Sequence, residues 1–157
     1  MKIERAHKVD ATELTELTIR SKDYWNYGEK QIEEWREELT ITPKYVEENH
    51  VYKGTKKGML MGFYAYNPEN SKNVKLNFLF VAPEFIGHGC GKILMTDFLR
   101  RIEKKGYEKV VLDADPNAEK FYERMGFKAI GKLKSSIEGR FLPIMELKMK
   151  TPLGRDE

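Results

Sequence analysis

The segment at residues 74–81 is apolar at six of its eight positions and leads into a glycine-rich turn. Such a segment is typical of a central strand that is covered on both faces. The most regular helical pattern follows at residues 91–105, with an apolar stripe formed by Leu94, Met95, Phe98, Leu99 and Ile102. Gly106 is expected to end this helix. A strand, a turn and a helix therefore occupy the centre of the predicted fold.

Other strands are predicted from short apolar or alternating runs between turn residues, at residues 3–6, 51–53, 59–66, 110–112, 127–133 and 140–148. Hairpin or turn connections are predicted at residues 54–58 and 67–70. Helix starts are predicted where a capping residue precedes an apolar pattern, at Asp10 with Glu13, Thr42 before Pro43, and Asp115 before Pro116. A further helix carries Ile32, Trp35 and Leu39 on one face. This order predicts an α/β or α+β fold, with a mixed sheet covered by helices.

The length of 157 residues predicts one domain, over residues 1–150, with a frayed tail at residues 151–157. Hydrophobic residues make up 40% and charged residues 34%, which indicates a soluble globular protein. We expect no membrane span and, from the charged N-terminus, a cytoplasmic location. Cys90 is the single cysteine, and no Cys/His cluster has metal-ligand spacing, so no metal site is predicted. The net charge of +3 suits an anionic small ligand and does not demand nucleic acid.

The turn after the central strand carries the strongest chemical signal. Glycines alternate along it, in the order Gly87, His88, Gly89, Cys90, Gly91 and Lys92. Backbone amides without side chains can converge on an anion, and the following helix adds its positive dipole end. Neither the Walker pattern nor the dinucleotide fingerprint fits, because Ile93 follows Lys92 and no glycine stands at position 92. The turn therefore predicts a phosphate or pyrophosphate site; the alternative is that the glycines only make a tight turn.

Two motifs in this order resemble the GNAT superfamily of N-acetyltransferases. Val81-x-Pro83 followed by Gly89-x-Gly91-Lys92 resembles the acetyl-CoA motif of that family. The downstream segment at residues 115–127, Asp-Pro-Asn-Ala-Glu-Lys-Phe-Tyr-Glu-Arg-Met-Gly-Phe, resembles its second signature. The sequence departs from the family pattern at Ile86, where an Arg or Gln is usual, and at Asp115, where an Asn is usual. The resemblance implies a mostly antiparallel sheet that is splayed at its centre, with helices on both faces, and acetyl-CoA as co-substrate.

The same resemblance assigns roles to individual residues. Backbone groups of Leu79, Phe80 and Val81 would bind the pantetheine arm and the thioester, and Asn117 and Phe121 would also contact the cofactor. Tyr122 matches the family's general acid for the departing thiolate; otherwise it is a core aromatic. The acceptor would be a primary amine, in a small molecule or a protein, attacking directly. Its expected contacts are Tyr24, Trp25, Tyr27 and, near the last hairpin, Ser135, Ser136 and Arg140.

Several alternatives stay open at this point. No general base is identified; the candidates are Glu47, Glu48, Glu84, His50 and His88, and Asn77 and Phe78 stand where many relatives carry a carboxylate or His. A covalent route through Cys90 is conceivable because a helix N-terminus lowers a thiol pKa. The chain could also be a non-catalytic acyl-CoA-binding sensor or partner protein, transfer another acyl group, or bind nucleic acid through its lysine-rich patches. A homodimer is an option, because many relatives dimerise.

Overall fold

The computed structural model describes residues 1–149, and the predicted tail at residues 151–157 lies outside them. The chain forms two compact units. The first unit contains Met1–Tyr66 and Phe78–Leu99, and the second contains Asn67–Asn77 and the described residues from Arg100 to residue 149. The prediction of a single domain over residues 1–150 stays a prediction.

The structure contains a seven-stranded sheet and five α-helices in the described residues. The strands are β1 (Lys2–Arg5), β2 (His50–Lys56), β3 (Met59–Pro68), β4 (Asn73–Val81), β5 (Lys109–Asp113), β6 (Lys128–Lys134) and β7 (Phe141–Lys148). The helices are α1 (Ala11–Asp23), α2 (Glu29–Leu39), α3 (Pro43–Glu48), α4 (Cys90–Lys104) and α5 (Glu119–Arg124). The strand order is β1-β2-β3-β4-β5-β7-β6, with β4 and β5 parallel and antiparallel ladders in β1–β2, β2–β3, β5–β7 and β6–β7. The predicted mixed, mostly antiparallel fold is confirmed.

In the first unit, alternate residues of β3 point into two different apolar layers. Phe63 and Ala65 belong to a buried cluster with Leu14 and Leu17 of α1. Tyr64 and Tyr66 instead place their rings 5.3 and 5.2 Å from the ring of Phe98 in α4. Because successive side chains of a strand face opposite sides, this part of the sheet is covered by helices on both faces. The predicted face of α2 is also buried, through Ile32, Trp35 and Leu39.

In the second unit, the core is built on β5. Val110 and Leu112 of this strand are buried, and so are Met145 of β7 and Ile102 of α4. Gly106 ends α4 as predicted, at a φ of 85°. No helix in residues 1–149 combines the length and the apolar character that a membrane crossing requires.

Three boundary predictions are wrong. Asp10 does not cap α1 with its side chain; its carboxylate accepts hydrogen bonds from the His7 amide and from the Lys53 ammonium, at 2.8 and 3.0 Å. β2 continues through Lys56 by way of a bulge, so the hairpin turn is confined to Lys57 and Gly58. β3 runs on through Pro68, and the turn comes only after it.

Candidate functional site

The glycine-rich turn between β4 and α4 has an open inner surface. A short 3₁₀ turn, Pro83–Phe85, comes first, and the His88 amide donates to the Phe85 carbonyl at 3.2 Å. Gly87 and Gly89 have φ values of 86° and 84°, which strain any other residue. A Cβ atom added to either glycine would meet no atom of a non-adjacent residue within 4 Å. The glycines are therefore required by the backbone, and no more distant side chain fills the space beside them.

The first turn of α4 offers amide donors to that space. The Gly89 carbonyl accepts from the Ile93 amide at 3.1 Å, so Gly89 is the N-cap residue of the helix. The amides of Cys90, Gly91 and Lys92 follow, and amides in a first turn have no acceptor within their own helix. Gly89 has no side chain that could cap them. Together with the helix dipole, this arrangement is suited to an anion.

The side chains in the turn differ in their access to solvent. Lys92 and His88 are exposed, whereas Cys90 is only 4% exposed. Burial raises the pKa of the Cys90 thiol above its ordinary value, in spite of its place at a helix N-terminus. The thiol therefore stays protonated at neutral pH, which disfavours the covalent route. Among the predicted turn residues, His88 has its amide already committed to Phe85.

β4 leads into this turn. Its parallel ladder with β5 is formed by Asn73, Val74 and Lys75, in the second unit. The predicted cofactor-binding residues Leu79, Phe80 and Val81 come later in the strand, in the first unit, and are half-buried. The Phe80 ring lies 6.2 Å from the Phe63 ring.

The second motif, at residues 115–127 in the second unit, begins with a helix cap formed by its own side chains. Asp115 is the N-cap of the 3₁₀ turn Pro116–Ala118, and its Oδ1 accepts from the Asn117 backbone amide at 2.8 Å and from Asn117 Nδ2 at 3.0 Å. Its Oδ2 lies 3.3 Å from Arg140 Nη2, and the two side chains are 15% and 16% exposed. Asp115 is therefore a helix cap, as expected, and Arg140 is held in an ion pair with it.

Tyr122 is buried on α5. Its ring makes edge-to-face contacts with Phe121 and Phe127, at centroid distances of 5.3 and 5.6 Å. Burial, with a smaller contribution from the charge of Asp115, raises the pKa of Tyr122 well above its ordinary value. Within residues 1–149 we find no hydrogen bond that involves its hydroxyl. The ring thus packs as a core aromatic, and the hydroxyl keeps its proton.

The aromatic loop between α1 and α2 is divided in two. Tyr24 and Trp25 form an edge-to-face pair 4.9 Å apart and are 47% and 41% exposed. Tyr27 instead packs on the buried Trp35 at 4.8 Å, and the Lys22 ammonium lies 5.6 and 5.3 Å from their ring centroids. Of the three predicted acceptor contacts on this loop, two therefore face solvent and one anchors the loop.

Three of the five candidate bases make contacts with other side chains. Glu84 pairs with Arg20 at 3.0 Å, and Glu47 pairs with Lys8 at 3.3 Å. The His50 ring stacks on the Tyr66 ring at 4.7 Å. At the strand position where many relatives carry a carboxylate, the Asn77 carboxamide donates to the Asn67 side chain. Among the described residues, no group of three or more His, Cys, Asp or Glu side chains is arranged to hold a metal ion.

Sequence reasoning missed the ion pair between Asp115 and Arg140. These residues belong to different predicted elements, and no local spacing rule connects them. The only sequence signal was the departure from the family pattern at Asp115, where the substituted carboxylate requires a partner or a cap.

Comparisons with known proteins support the resemblance. The PaiA N-acetyltransferase of Thermoplasma acidophilum, solved in complex with coenzyme A, superposes with a TM-score of 0.79 at 23% identity, covering 94% of this chain and 98% of that chain. YncA of Salmonella typhimurium, solved with acetyl-CoA, gives a TM-score of 0.69 at 19% identity, covering 99% of this chain and 98% of that chain. These likenesses establish the shared fold.

Among curated proteins, the N-acetyltransferase ycf52 of Gracilaria tenuistipitata var. liui is 29% identical over 89 residues, which are 57% of this chain and 49% of that protein. The glucosamine 6-phosphate N-acetyltransferase of Trypanosoma brucei brucei is 41% identical over 49 residues, 31% of this chain and 33% of that protein. The matched part thus spans about half or less of the length of these relatives. The family model for the acetyltransferase (GNAT) domain matches residues 6–149 and includes both motifs, so the chain belongs to the GNAT acetyltransferase domain family.

Proposed function

We propose that the chain is an acetyl-CoA-dependent N-acetyltransferase that moves an acetyl group to a primary amine, in a small molecule or a protein, by direct attack. The observation that carries the proposal is the bare first turn of α4, where Gly87 and Gly89 leave an open space beside helix amides. A diphosphate matches these donors in charge and in hydrogen-bonding capacity. The coenzyme A and acetyl-CoA in the related structures support the same ligand.

In this proposal the cofactor is bound mainly by backbone. The amides of the turn at residues 87–92, apart from the His88 amide that donates to Phe85, bind the diphosphate, and Lys92 adds a full positive charge. Leu79, Phe80 and Val81 offer backbone groups to the pantetheine arm, with the amide near Val81 polarising the thioester carbonyl. Asn117 and Phe121 are further contacts. The carboxamide of Asn117 is already oriented by Asp115, because its Nδ2 donates to that carboxylate.

The chemical step adds the amine nitrogen to the thioester carbonyl and expels the coenzyme A thiolate. Tyr122 is the proposed general acid, with its hydroxyl proton passing to the departing sulfur. An ordinary tyrosine and thiol differ by about 1.5 pKa units, or roughly 2 kcal/mol uphill for full transfer. Because burial raises the pKa of Tyr122 further, its main contribution is a hydrogen bond to the sulfur as negative charge develops.

The deprotonation of the incoming amine is assigned to no side chain. Glu84 and Glu47 are exposed and ion-paired, and Asn77 has no basic group. An amine that arrives neutral, or a water that removes its proton, is sufficient in this scheme. Tyr24 and Trp25 are proposed to contact the acceptor, since exposed aromatic faces attract ammonium groups.

Calorimetry with acetyl-CoA, followed by a thiol-release assay, tests the proposal. The acceptor panel contains polyamines, amino acids, aminoglycosides and peptides. We expect micromolar binding and amine-dependent release of coenzyme A. A protein that ignores coenzyme A at millimolar concentration would refute the proposal.

The second candidate is a non-catalytic acyl-CoA-binding protein. The carboxamide at Asn77, in place of a strand carboxylate, is the observation that favours it. Tight binding of acetyl-CoA without thiol release for any amine would support this candidate.

A further inference from the structure

Gly62, in the middle of β3, lies unusually close to the backbone of β4. A Cβ atom at this position would stand 2.6 Å from the Phe80 carbonyl oxygen, 2.8 Å from Leu94 Cδ1 and 3.3 Å from Val81 Cα. Gly62 is not among the residues with positive φ, so its own backbone conformation does not require glycine. What requires it is the close approach of a neighbouring strand and helix.

This approach is fixed on both sides. The Ala82 amide donates to the Met61 carbonyl at 2.8 Å, which joins the end of β4 to β3 next to Gly62. Leu94 is fully buried in the first turns of α4 and has no solvent-facing position to move to. A methyl group at position 62 must therefore displace the Phe80–Val81 backbone, the Leu94 side chain, or both.

We propose that Gly62 is a positioning residue for acyl-CoA binding, because its missing side chain lets β4 place the Phe80–Val81 backbone where it can pair with the pantetheine arm. The inference rests on the proposed function. Gly62 itself contacts no cofactor in this scheme; it acts only through Phe80 and Val81.

The proposed effect is selective for one part of the cofactor. The diphosphate is assigned to the turn at residues 87–92, whose open glycines do not contact Gly62. A displaced β4 backbone should therefore weaken binding of the pantetheine arm and leave binding of the nucleotide part unchanged. General destabilisation of the protein would weaken both.

The test compares two ligands by calorimetry: coenzyme A, and adenosine 3′-phosphate 5′-diphosphate, which has the nucleotide part without the pantetheine arm. In the wild-type protein, coenzyme A should bind more tightly than the fragment. For Gly62→Ala we expect at least a tenfold loss of coenzyme A affinity and less than a twofold change for the fragment. Thermal melts of each variant establish that it is folded at the assay temperature.

Gly54→Ala is the matched control, because Gly54 pairs with Gly62 across β2 and β3. Its Cβ would meet the flexible end of Met1 at 2.5 Å and Leu94 Cδ2 at 3.2 Å, with no β4 backbone among its three nearest atoms. We expect both ligands to bind it as they bind wild type. Gly62→Ala combined with Leu94→Val relieves the side-chain contact alone, so the loss of coenzyme A affinity should persist.

Equal affinities of wild type and Gly62→Ala for coenzyme A would overturn the inference. Recovery of coenzyme A affinity in the Gly62→Ala, Leu94→Val double variant would also overturn it, and so would an equal loss of affinity for coenzyme A and the fragment. If Gly62→Ala does not fold, backbone amide spectra of the wild-type protein decide. Saturation with coenzyme A, but not with the fragment, should then shift the Phe80 and Val81 signals, and unshifted signals would overturn the inference. The proposed function fails in a different way, when the wild-type protein binds neither ligand.

Discussion

The two strand-to-helix turns that carry the family motifs satisfy their helix amides in opposite ways. Gly89 occupies the N-cap position of α4 and leaves the first amides bare. Asp115 occupies the equivalent position before Pro116–Ala118 and binds the Asn117 amide with its own carboxylate, which in turn is paired with Arg140. The first turn leaves its amides available for the proposed external anion, whereas the second turn supplies its own carboxylate.

This contrast explains why the two departures from the family pattern leave the proposed diphosphate site intact. The missing polar residue at Ile86 removes one side-chain contact from a turn that depends on backbone donors. The carboxylate at Asp115 is neutralised within its own cap and orients the Asn117 side chain. Neither substitution removes the donors on which the proposed diphosphate site depends.

The largest effect, a loss of acetyl-CoA affinity, is expected when the glycine-rich turn before α4 is given a capping side chain of its own. Gly89→Asp places a carboxylate where the diphosphate would bind, so we expect acetyl-CoA affinity to fall about 300-fold, or about 3.4 kcal/mol, by calorimetry. Gly89→Asn introduces a similar cap without the charge and should lose much less. Gly58→Asp is the control for strain, because Gly58 has a φ of 78° and an equally open surrounding. Unchanged affinity in Gly89→Asp would contradict the assignment of this turn.

Substitution of Tyr122, on the helix that follows the Asp115 turn, should lower turnover and leave acetyl-CoA binding unchanged. For Tyr122→Phe we expect kcat to fall about 100-fold while the dissociation constant of acetyl-CoA stays within twofold. Because its raised pKa keeps Tyr122 protonated, the ratio of wild-type to variant kcat should stay constant from pH 7 to pH 10. A ratio that is already halved at pH 10 would show an ordinary tyrosine, which is half ionised near that pH, and an unchanged kcat would exclude the acid role.

Removal of the Asp115 carboxylate should lower the stability of the protein more than it lowers cofactor affinity. Asp115→Ala removes a cap and leaves the mostly buried Arg140 without this partner, so we expect the free energy of unfolding to fall by about 2 kcal/mol in urea titrations. Asp115→Asn keeps an N-cap acceptor and should lose about half as much. Equal stability of Asp115→Ala and wild type would mean that the pair contributes nothing net.

The smallest effect is expected when the Cys90 thiol, in the glycine-rich turn, is exposed to an alkylating reagent or to acetyl-CoA. Since burial raises the pKa of Cys90, alkylation by iodoacetamide should be slow at pH 7 and accelerate only above the ordinary thiol pKa of about 8.5. Intact mass spectrometry after mixing with acetyl-CoA should detect no acetylated enzyme. Fast alkylation at neutral pH, or a stable acetyl adduct, would restore the covalent route.

Sequence patterns predicted the parts of the molecule that depend on near neighbours. The stripe of α4 and the buried face of α2 follow from spacings of three or four residues. The Thr42 cap of α3, which accepts from the Tyr45 amide at 3.0 Å, follows from the adjacent Thr42-Pro43 pair. The open glycine turn follows from alternating residues without side chains. These features need no knowledge of distant contacts.

Several features that sequence patterns did not predict depend on residues far apart in the chain. The Asp10 carboxylate binds Lys53, the Asp115 carboxylate binds Arg140, and Gly62 serves a strand that comes later. The acceptor contacts remain proposals for the same reason: the pattern of aromatics at residues 24–27 cannot tell which ring anchors the loop.

The different exposure of the two tryptophans in and beside the loop between α1 and α2 allows amine binding to be followed by fluorescence. The chain has two tryptophans, Trp25 at 41% and Trp35 at 6% exposure. Emission from Trp25 should be quenched by acrylamide while emission from Trp35 is largely shielded. An amine that settles on the exposed ring pair would protect Trp25, so candidate acceptors can be ranked by fluorescence before any product is identified.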